Sequence, residues 1–290
     1  FQLQLCLFNS SIVLMIATYI DEFITGENML TKAQIATYEQ DGYVKIEGLF
    51  TEEEVKELQT EMNWIIEEWW GENSIGWRGP WREHYLPEEE RQNTKAIFIS
   101  NPQFYSAAWG RIIFHKNLVS VIQSLIGENV QWHHTILHGK PPELGTPFPM
   151  HQDYPFYPHD GPNFIDCLLH LDDTPVESGC FHVMPGSHEN GPLEHITGDH
   201  TRPYLPPEKY HPDKIETVAI PAKIGDVIFF SYYVIHWSDV NRTKEWRKSV
   251  RIGYHTTENR PVNISLETPN HKLVVGGFKE RGKEPKLTYR

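Results

Sequence analysis

Three stretches of the 290-residue sequence carry side chains that could build a metal site. In His151-Gln152-Asp153 an imidazole and a carboxylate stand two positions apart. If that segment is extended, residues at i and i+2 share a face, so one strand end offers both groups together. His236 closes the run Asp226 to Ile235, from which a late strand could return beside the first. Two histidines and one carboxylate on one face of an iron leave three coordination positions open, the arrangement expected of non-haem Fe(II) oxygenases. The bare pattern is weak, because with 16 histidines chance matches are expected, and His211-Pro212-Asp213 is a second copy. That copy follows the Pro-rich Arg202-Pro203-Tyr204-Leu205-Pro206-Pro207, has no strand to align its side chains, and reads as a surface loop.

The third stretch lies downstream of His236. Arg247 stands eleven residues beyond it, at the mouth of the run Ser249 to Tyr254. An arginine there can hold a carboxylate through two parallel N–H donors, a geometry lysine cannot copy, and Ser238 could add a hydroxyl. The plainer alternative is a salt bridge at a sheet edge, and Arg251 competes for either role.

These residues need a frame. Thr31 can cap a short helix reaching Tyr38 and ending at Asp41-Gly42, and Tyr43 to Ile46 alternates as a strand. Thr51-Glu52-Glu53-Glu54 forms a capping box for a helix with the apolar face Val55, Leu58, Met62, Ile65 and Trp69, stopped at Gly71. Asn117 to Ile126 reads as a second amphipathic helix ending at Gly127. Short β-prone runs follow: Val130 to Leu137, Asn163 to Leu171, Cys180 to Met184, Glu216 to Ile220, Asp226 to Ser231 and Ser249 to Thr257. Helices first and then many strands without intervening helices predict a mainly β fold with flanking α-helices, a double-sheet sandwich or jelly roll. Residues 29–290 read as one domain. Phe1 to Ile20 is apolar but interrupted by polar residues, a poor membrane span with no basic start, and residues 1–28 read as a non-native or poorly ordered extension ahead of Met29.

Composition narrows the partners. Lys and Arg number 26 against 39 Asp and Glu, a formal charge of −13 that argues against a nucleic-acid surface. Cys6, Cys167 and Cys180 cannot close a disulfide framework and lack zinc-ligand spacing, which points to a reducing cytoplasm. No membrane partner is expected, and a monomer and a homodimer are both open.

The chain resembles the phytanoyl-CoA dioxygenase family of Fe(II)- and 2-oxoglutarate-dependent oxygenases. The stretches that carry the resemblance are His134-Thr135-Ile136-Leu137 with Lys140-Pro141-Pro142, His151-Gln152-Asp153, Glu177-Ser178-Gly179-Cys180, and Pro185-Gly186-Ser187-His188. Gly225-Asp226-Val227, His236, Ser238, Asn241 and Arg247 complete the series in the family's order, so the likeness runs from about Thr31 to Thr257. It implies a double-stranded β-helix of cupin-like form, with Fe(II) held by His151, Asp153 and His236, and with 2-oxoglutarate and O2 as cosubstrates. By the same resemblance Arg247 and Ser238 would receive the distal carboxylate of 2-oxoglutarate, with Ile136, Gln152 and Lys95 completing its pocket. Halogenating relatives vacate the position of Asp153, so hydroxylation, or a related desaturation or dealkylation, is expected, with release of succinate and CO2. Many members carry Trp on the strand where this chain has Leu168-Leu169-His170, which leaves His170 either a substrate-side group or a satisfied strand histidine.

The substrate is the least determined part. Trp77, Arg78 and Trp81 have the composition of a lid over an aromatic pocket, or equally of a structural loop pinned by buried tryptophans. Phe156, Tyr157 and Trp237 flank the expected ligands and are candidate pocket residues. The acidic balance favours a small soluble metabolite, a natural-product intermediate among the candidates, over a polyanionic CoA thioester. Two rival readings are a metal-binding cupin-like protein without oxygenase activity, which would not need Arg247, and a catalytically silent family member.

Overall fold

The computed structural model describes residues 29–69, 79–198, 201–263 and 275–277. Helices flank the first two strands: α1 (Lys32–Asp41), β1 (Tyr43–Ile46), α2 (Glu52–Trp69), β2 (Ile97–Ser100), the short α3 (Ala107–Ile112) and α4 (Lys116–Ile126) follow one another in the chain. Thr31 accepts from the Gln34 amide while the Gln34 side chain accepts from Thr31 N–H, and Thr51 with Glu54 makes the same reciprocal cap. Gly42 ends α1 in the left-handed region at φ 79°.

The strands form two antiparallel sheets. The larger has the order β1-β10-β5-β12-β3-β2, with β3 (Val130–Lys140), β5 (Phe164–His170), β10 (Val227–Ser231) and β12 (Arg247–Thr256) at its centre. The smaller has the order β4-β11-β6-β9, from Phe148–His151, His236–Ser238, Phe181–Val183 and Val218–Ile220. A separate hairpin pairs β7 (Ile196–Gly198) with β8 (Thr201–Tyr204). This is the jelly roll with a helical flank. The Pro-rich segment expected to be loop is strand from its start to Tyr204, because a proline is tolerated on a two-stranded edge where its missing donor is not needed.

Side-chain alternation sorts the larger sheet into two faces. Phe229, Cys167, Leu169, Val250 and Ile252 pack outward against Val55, Leu58, Met62 and Ile65 of α2 and Leu118, Val121 and Ile122 of α4. Ile228, Phe230 and Leu168 point the other way, into the space shared with Phe181 and Val183 of the smaller sheet. Both faces are covered, so β5 and β10 are buried at every position. On β12 the same alternation sends Val250, Ile252 and Tyr254 to the helices and places Arg247 and Arg251 on the inner face.

Two joints hold the inner space open in register. Gly179 has φ 68°, and a Cβ there would collide with the Asp239 carbonyl, so the turn after β11 needs glycine against it. Asp226, 4% exposed, accepts from the amides of Gly48 and Lys223, each at 2.9 Å, and so ties the β1–α2 connection to the turn that starts β10. Asp226→Ala leaves two backbone donors without their acceptor and is expected to lower unfolding stability by about 3 kcal/mol in urea titration. A loss under about 1 kcal/mol would contradict this joint.

Candidate metal centre

The smaller sheet places the two histidines opposite one another. β4 and β11 pair with His151 and His236 as direct cross-strand partners, and the register then slips so that Ser238 faces Phe148. One extra residue on β4 thus separates the histidine pair from the serine pair, a bulge that re-aims the strand beside the site. The strand ends at His151, and Asp153 has helical backbone angles, φ −79° and ψ −20°. Its carboxylate therefore reaches the histidines through the turn into Tyr154–Phe156 and not by simple strand alternation.

The three side chains converge. Donor atoms of His151, Asp153 and His236 all lie within 4.8 Å of one another and all three residues are buried. His151 Nε2 is 3.6 Å from Asp153 Oδ1, His236 Nε2 is 3.8 Å from Oδ2, and the imidazole centroids are 4.2 Å apart. His151 Nδ1 donates to Pro149 O at 2.7 Å and His236 Nδ1 to Val234 O at 3.1 Å. A carbonyl can only accept, so each ring carries its proton on Nδ1 and turns the Nε2 lone pair toward the carboxylate. Burial, and then the neighbouring His151, push His236 down to about 3, which keeps the imidazole neutral as ligation requires. For Asp153, burial works to raise the pKa. The Arg251 guanidinium, 2.5 Å away, outweighs that burial with help from His236 and His151 and holds the carboxyl well below the usual range. Two Nε2 atoms and one carboxylate oxygen at these separations suit a ferrous ion with positions left open.

His151 and His236 line a cavity between the sheets. Phe98, Phe148, Phe156, Phe181, Phe230 and Trp237 make an aromatic wall, and Ser238 and Arg247 form the polar end. Arg247 is 5% exposed and has no carboxylate within ion-pair distance among the described residues. Burial lowers its pKa to about 10. Lys140, the register partner of Arg247 across β3, donates to Ser238 Oγ at 2.8 Å and to the Asp239 carbonyl. Arg251 is already taken, lying against Asp153 with Asp166 at 3.8 Å. The plain salt-bridge alternative considered for Arg247 thus describes Arg251 instead.

Several expected positions lie elsewhere. Gln152 is fully buried but faces away from the cavity, donating to Gly191 O and Tyr233 O and accepting from Leu193 N–H, so it braces a loop. Lys95 is exposed, because its backbone bridges Leu144 and Thr146 with the side chain turned to solvent. Ile136 does not line the cavity; His138, two residues along the same strand face, does. Trp81 is buried behind the wall against Tyr204, Phe98 and Phe148. Tyr157 also sits behind it, donating to Asp166 at 2.6 Å. His170 lies outside the cavity, with Nδ1 donating to Asp226 O at 3.3 Å, and is the strand histidine. The second His-x-Asp is a surface pair, its Asp213 side chain 87% exposed. Trp77, Arg78, and residues 1–28 fall outside the described residues. Phe98, Phe181, Phe230 and Arg202 were not anticipated; the inner parity of β6 and β10 could have pointed to Phe181 and Phe230.

Comparison with known proteins agrees with this geometry. Residues 38–249 match the family model described as Phytanoyl-CoA dioxygenase (PhyH). A probable alpha-ketoglutarate-dependent hypophosphite dioxygenase of Stutzerimonas stutzeri is 27% identical over 232 residues, covering 78% of this chain and 78% of its own length. The peroxisomal phytanoyl-CoA dioxygenase of Rattus norvegicus is 26% identical over 258 residues, covering 84% and 73%. Among solved structures, the epimerase SnoN in complex with Fe3+, alpha ketoglutarate and nogalamycin RO superposes with a TM-score of 0.65 at 23% identity, covering 82% of this chain and 90% of that one.

His170 generates a testable consequence. Burial, then the charge of Arg247, lowers it to about 3 in the fold, while an unfolded chain takes up the proton near pH 6.5. Stability attributable to the neutral ring is therefore present above about pH 6.5 and falls as the pH drops toward 3. In urea denaturation of the metal-free protein, the loss between pH 7 and pH 5 is expected to be smaller for His170→Asn than for wild type by about 2 kcal/mol. Equal losses would contradict the assignment.

Proposed function

The chain belongs to the phytanoyl-CoA dioxygenase family, and from that membership we propose that it is an Fe(II)- and 2-oxoglutarate-dependent oxygenase acting on a small-molecule metabolite. The observation that carries the reading is one cavity with a buried two-histidine, one-carboxylate donor set at its wall and, among the described residues, a carboxylate-free buried arginine at its polar end. His151, Asp153 and His236 hold the iron, and Arg247 with Ser238 receives the distal carboxylate of 2-oxoglutarate. When bound, iron with 2-oxoglutarate and O2 supplies the oxidation of a substrate C–H bond, releasing succinate and CO2.

The chain's own residues account for the rest. The Nδ1 hydrogen bonds to Pro149 and Val234 fix both imidazoles in one tautomer and orientation. Lys140 donates to the Ser238 oxygen, which leaves the Ser238 proton to be given to an incoming carboxylate. Burial first, then Arg247, press the Lys140 amine well below its usual pKa, which leaves Arg247 as the cation that an arriving carboxylate answers at this end. The aromatic wall keeps bulk water from the reacting centre and strengthens each charge interaction inside.

The relatives are named for substrates as unlike as hypophosphite and phytanoyl-CoA, so family membership leaves the substrate and the choice among hydroxylation, desaturation and dealkylation to this cavity. Residues 29–290 act in this reading as one domain working in the cytoplasm, with no nucleic-acid or membrane partner. The formal charge of −13 supports the first exclusion, and among the described residues no helix is long and apolar enough to cross a membrane.

Addition of Fe(II) and then 2-oxoglutarate under anaerobic conditions is expected to give the weak visible charge-transfer band of the chelate. Asp153→Ala should abolish the band, and Arg247→Ala should raise the half-saturating 2-oxoglutarate concentration by roughly 30-fold or more. No band with intact protein would sink the reading. Unchanged 2-oxoglutarate affinity in Arg247→Ala would remove that residue from it.

A further inference from the structure

The cavity holds more positive charge than the proposed reaction needs. Three guanidiniums, Arg202, Arg247 and Arg251, line the cavity, and the Asp153 carboxylate meets it through Arg251 and the two histidines. Arg251 is answered by Asp153 and by Asp166 behind it. On the reading above, 2-oxoglutarate brings two negative charges and occupies Arg247. The dianion matches the charge of the ferrous ion, the two aspartates match Arg251 and Arg247, and the charge on Arg202 has no counterpart.

Arg202 is placed for a ligand. It lies on β8, in the hairpin with β7, and three residues later Leu205 N–H donates to Met150 O at 2.8 Å. Met150 directly precedes the ligand His151, so the hairpin is registered to the metal-binding strand. The guanidinium carbon stands over the Phe98 ring at 5.0 Å, and Phe98 is part of the aromatic wall. A guanidinium laid over a ring spends its flat face on the π system and keeps its N–H edge for a planar partner. No hydrogen bond or ion pair engages the Arg202 side chain among the described residues. The residue is exposed overall while lining the cavity, which puts it at the mouth. Burial of its inner part, and then Arg251, lowers its pKa, a sign that its nearest strong charge is a like one.

Building on the oxygenase reading, we propose that the substrate carries one anionic group, a carboxylate or a phosphorus oxyanion, that Arg202 binds at the cavity mouth while the rest of the molecule lies along the aromatic wall toward the triad. A monoanion closes the charge of the filled cavity. The acidic balance of the whole chain does not oppose it, because the field inside the cavity is set by these three arginines and is screened from distant surface carboxylates.

The test is calorimetric binding to the anaerobic Fe(II)- and 2-oxoglutarate-loaded enzyme of three probes that differ in charge: 3-phenylpropionate, phenylphosphonate and the neutral 3-phenylpropionamide. At least one acid is expected to bind at least tenfold more tightly than the amide. Arg202→Gln should weaken that acid about tenfold, the scale of one charge-assisted contact, with little effect on the amide, and Arg202→Lys should recover part of the loss. The acid that responds identifies the oxyanion class. Acids binding no better than the amide, equal acid affinity in Arg202→Gln, or binding of no probe would each overturn the proposal. Titration of 2-oxoglutarate into the same samples separates the two readings. Failure there sinks the oxygenase assignment and this proposal with it, while normal 2-oxoglutarate binding beside any of the adverse probe results sinks this proposal alone.

Discussion

A carboxylate fully removed from water, that of Asp153, sets the terms for every group around it. Burying an ionised oxygen pair is costly unless charge and hydrogen-bond donors meet it at once. Arg251 supplies the compensating charge, and the imidazoles of His151 and His236 are brought within 4 Å on the other side. The outcome is an aspartate held in its ionised form and a neighbouring His236 held neutral. A divalent cation needs that protonation pattern, which a chance cluster of two histidines and an aspartate would not hold.

The fold delivers this arrangement through alternation on a few strands. β12 carries apolar side chains to the helical layer and arginines to the inner face, so one strand seals the core and charges the cavity. The cavity is therefore graded: triad and Arg251 at its wall, Arg247 with Lys140 and Ser238 at its polar end, an aromatic wall between, and Arg202 at the mouth. Arg247 and Arg202 have no carboxylate within ion-pair distance among the described residues, which is costly in a protein that binds nothing and sensible in one that binds anions. Since 39 acidic residues are available, the shortage is local and reflects where the chain places them.

The triad and Arg247 were legible in the sequence because their order and separation combine several weak signals into a specific one. The capping boxes at Thr31 and Thr51 were legible because capping is local chemistry, and the apolar spacing of α2 gave its buried face. Gln152 shows a signal that was present and overruled by resemblance: in an extended segment it must face away from His151, and it does. Lys95 and Ile136 depended on the exact register of two strands, which pattern alone does not set. Which of the phenylalanines line the cavity could not be read because β5 and β10 are buried on both faces, so hydrophobicity carries no inward or outward mark. Arg202 was hidden by its prolines, which read as loop where the chain forms an edge strand.

The central claim is that His151, Asp153 and His236 hold the iron while Arg247 holds the far end of 2-oxoglutarate. Diffraction from crystals grown anaerobically with Fe(II) and 2-oxoglutarate, recorded at the iron absorption edge, addresses it most directly. The account predicts one anomalous peak bounded by the two Nε2 atoms and the Asp153 carboxylate, with the distal carboxylate of 2-oxoglutarate against Arg247 and Ser238. An iron peak elsewhere, or a 2-oxoglutarate that leaves Arg247 without a partner, would contradict it.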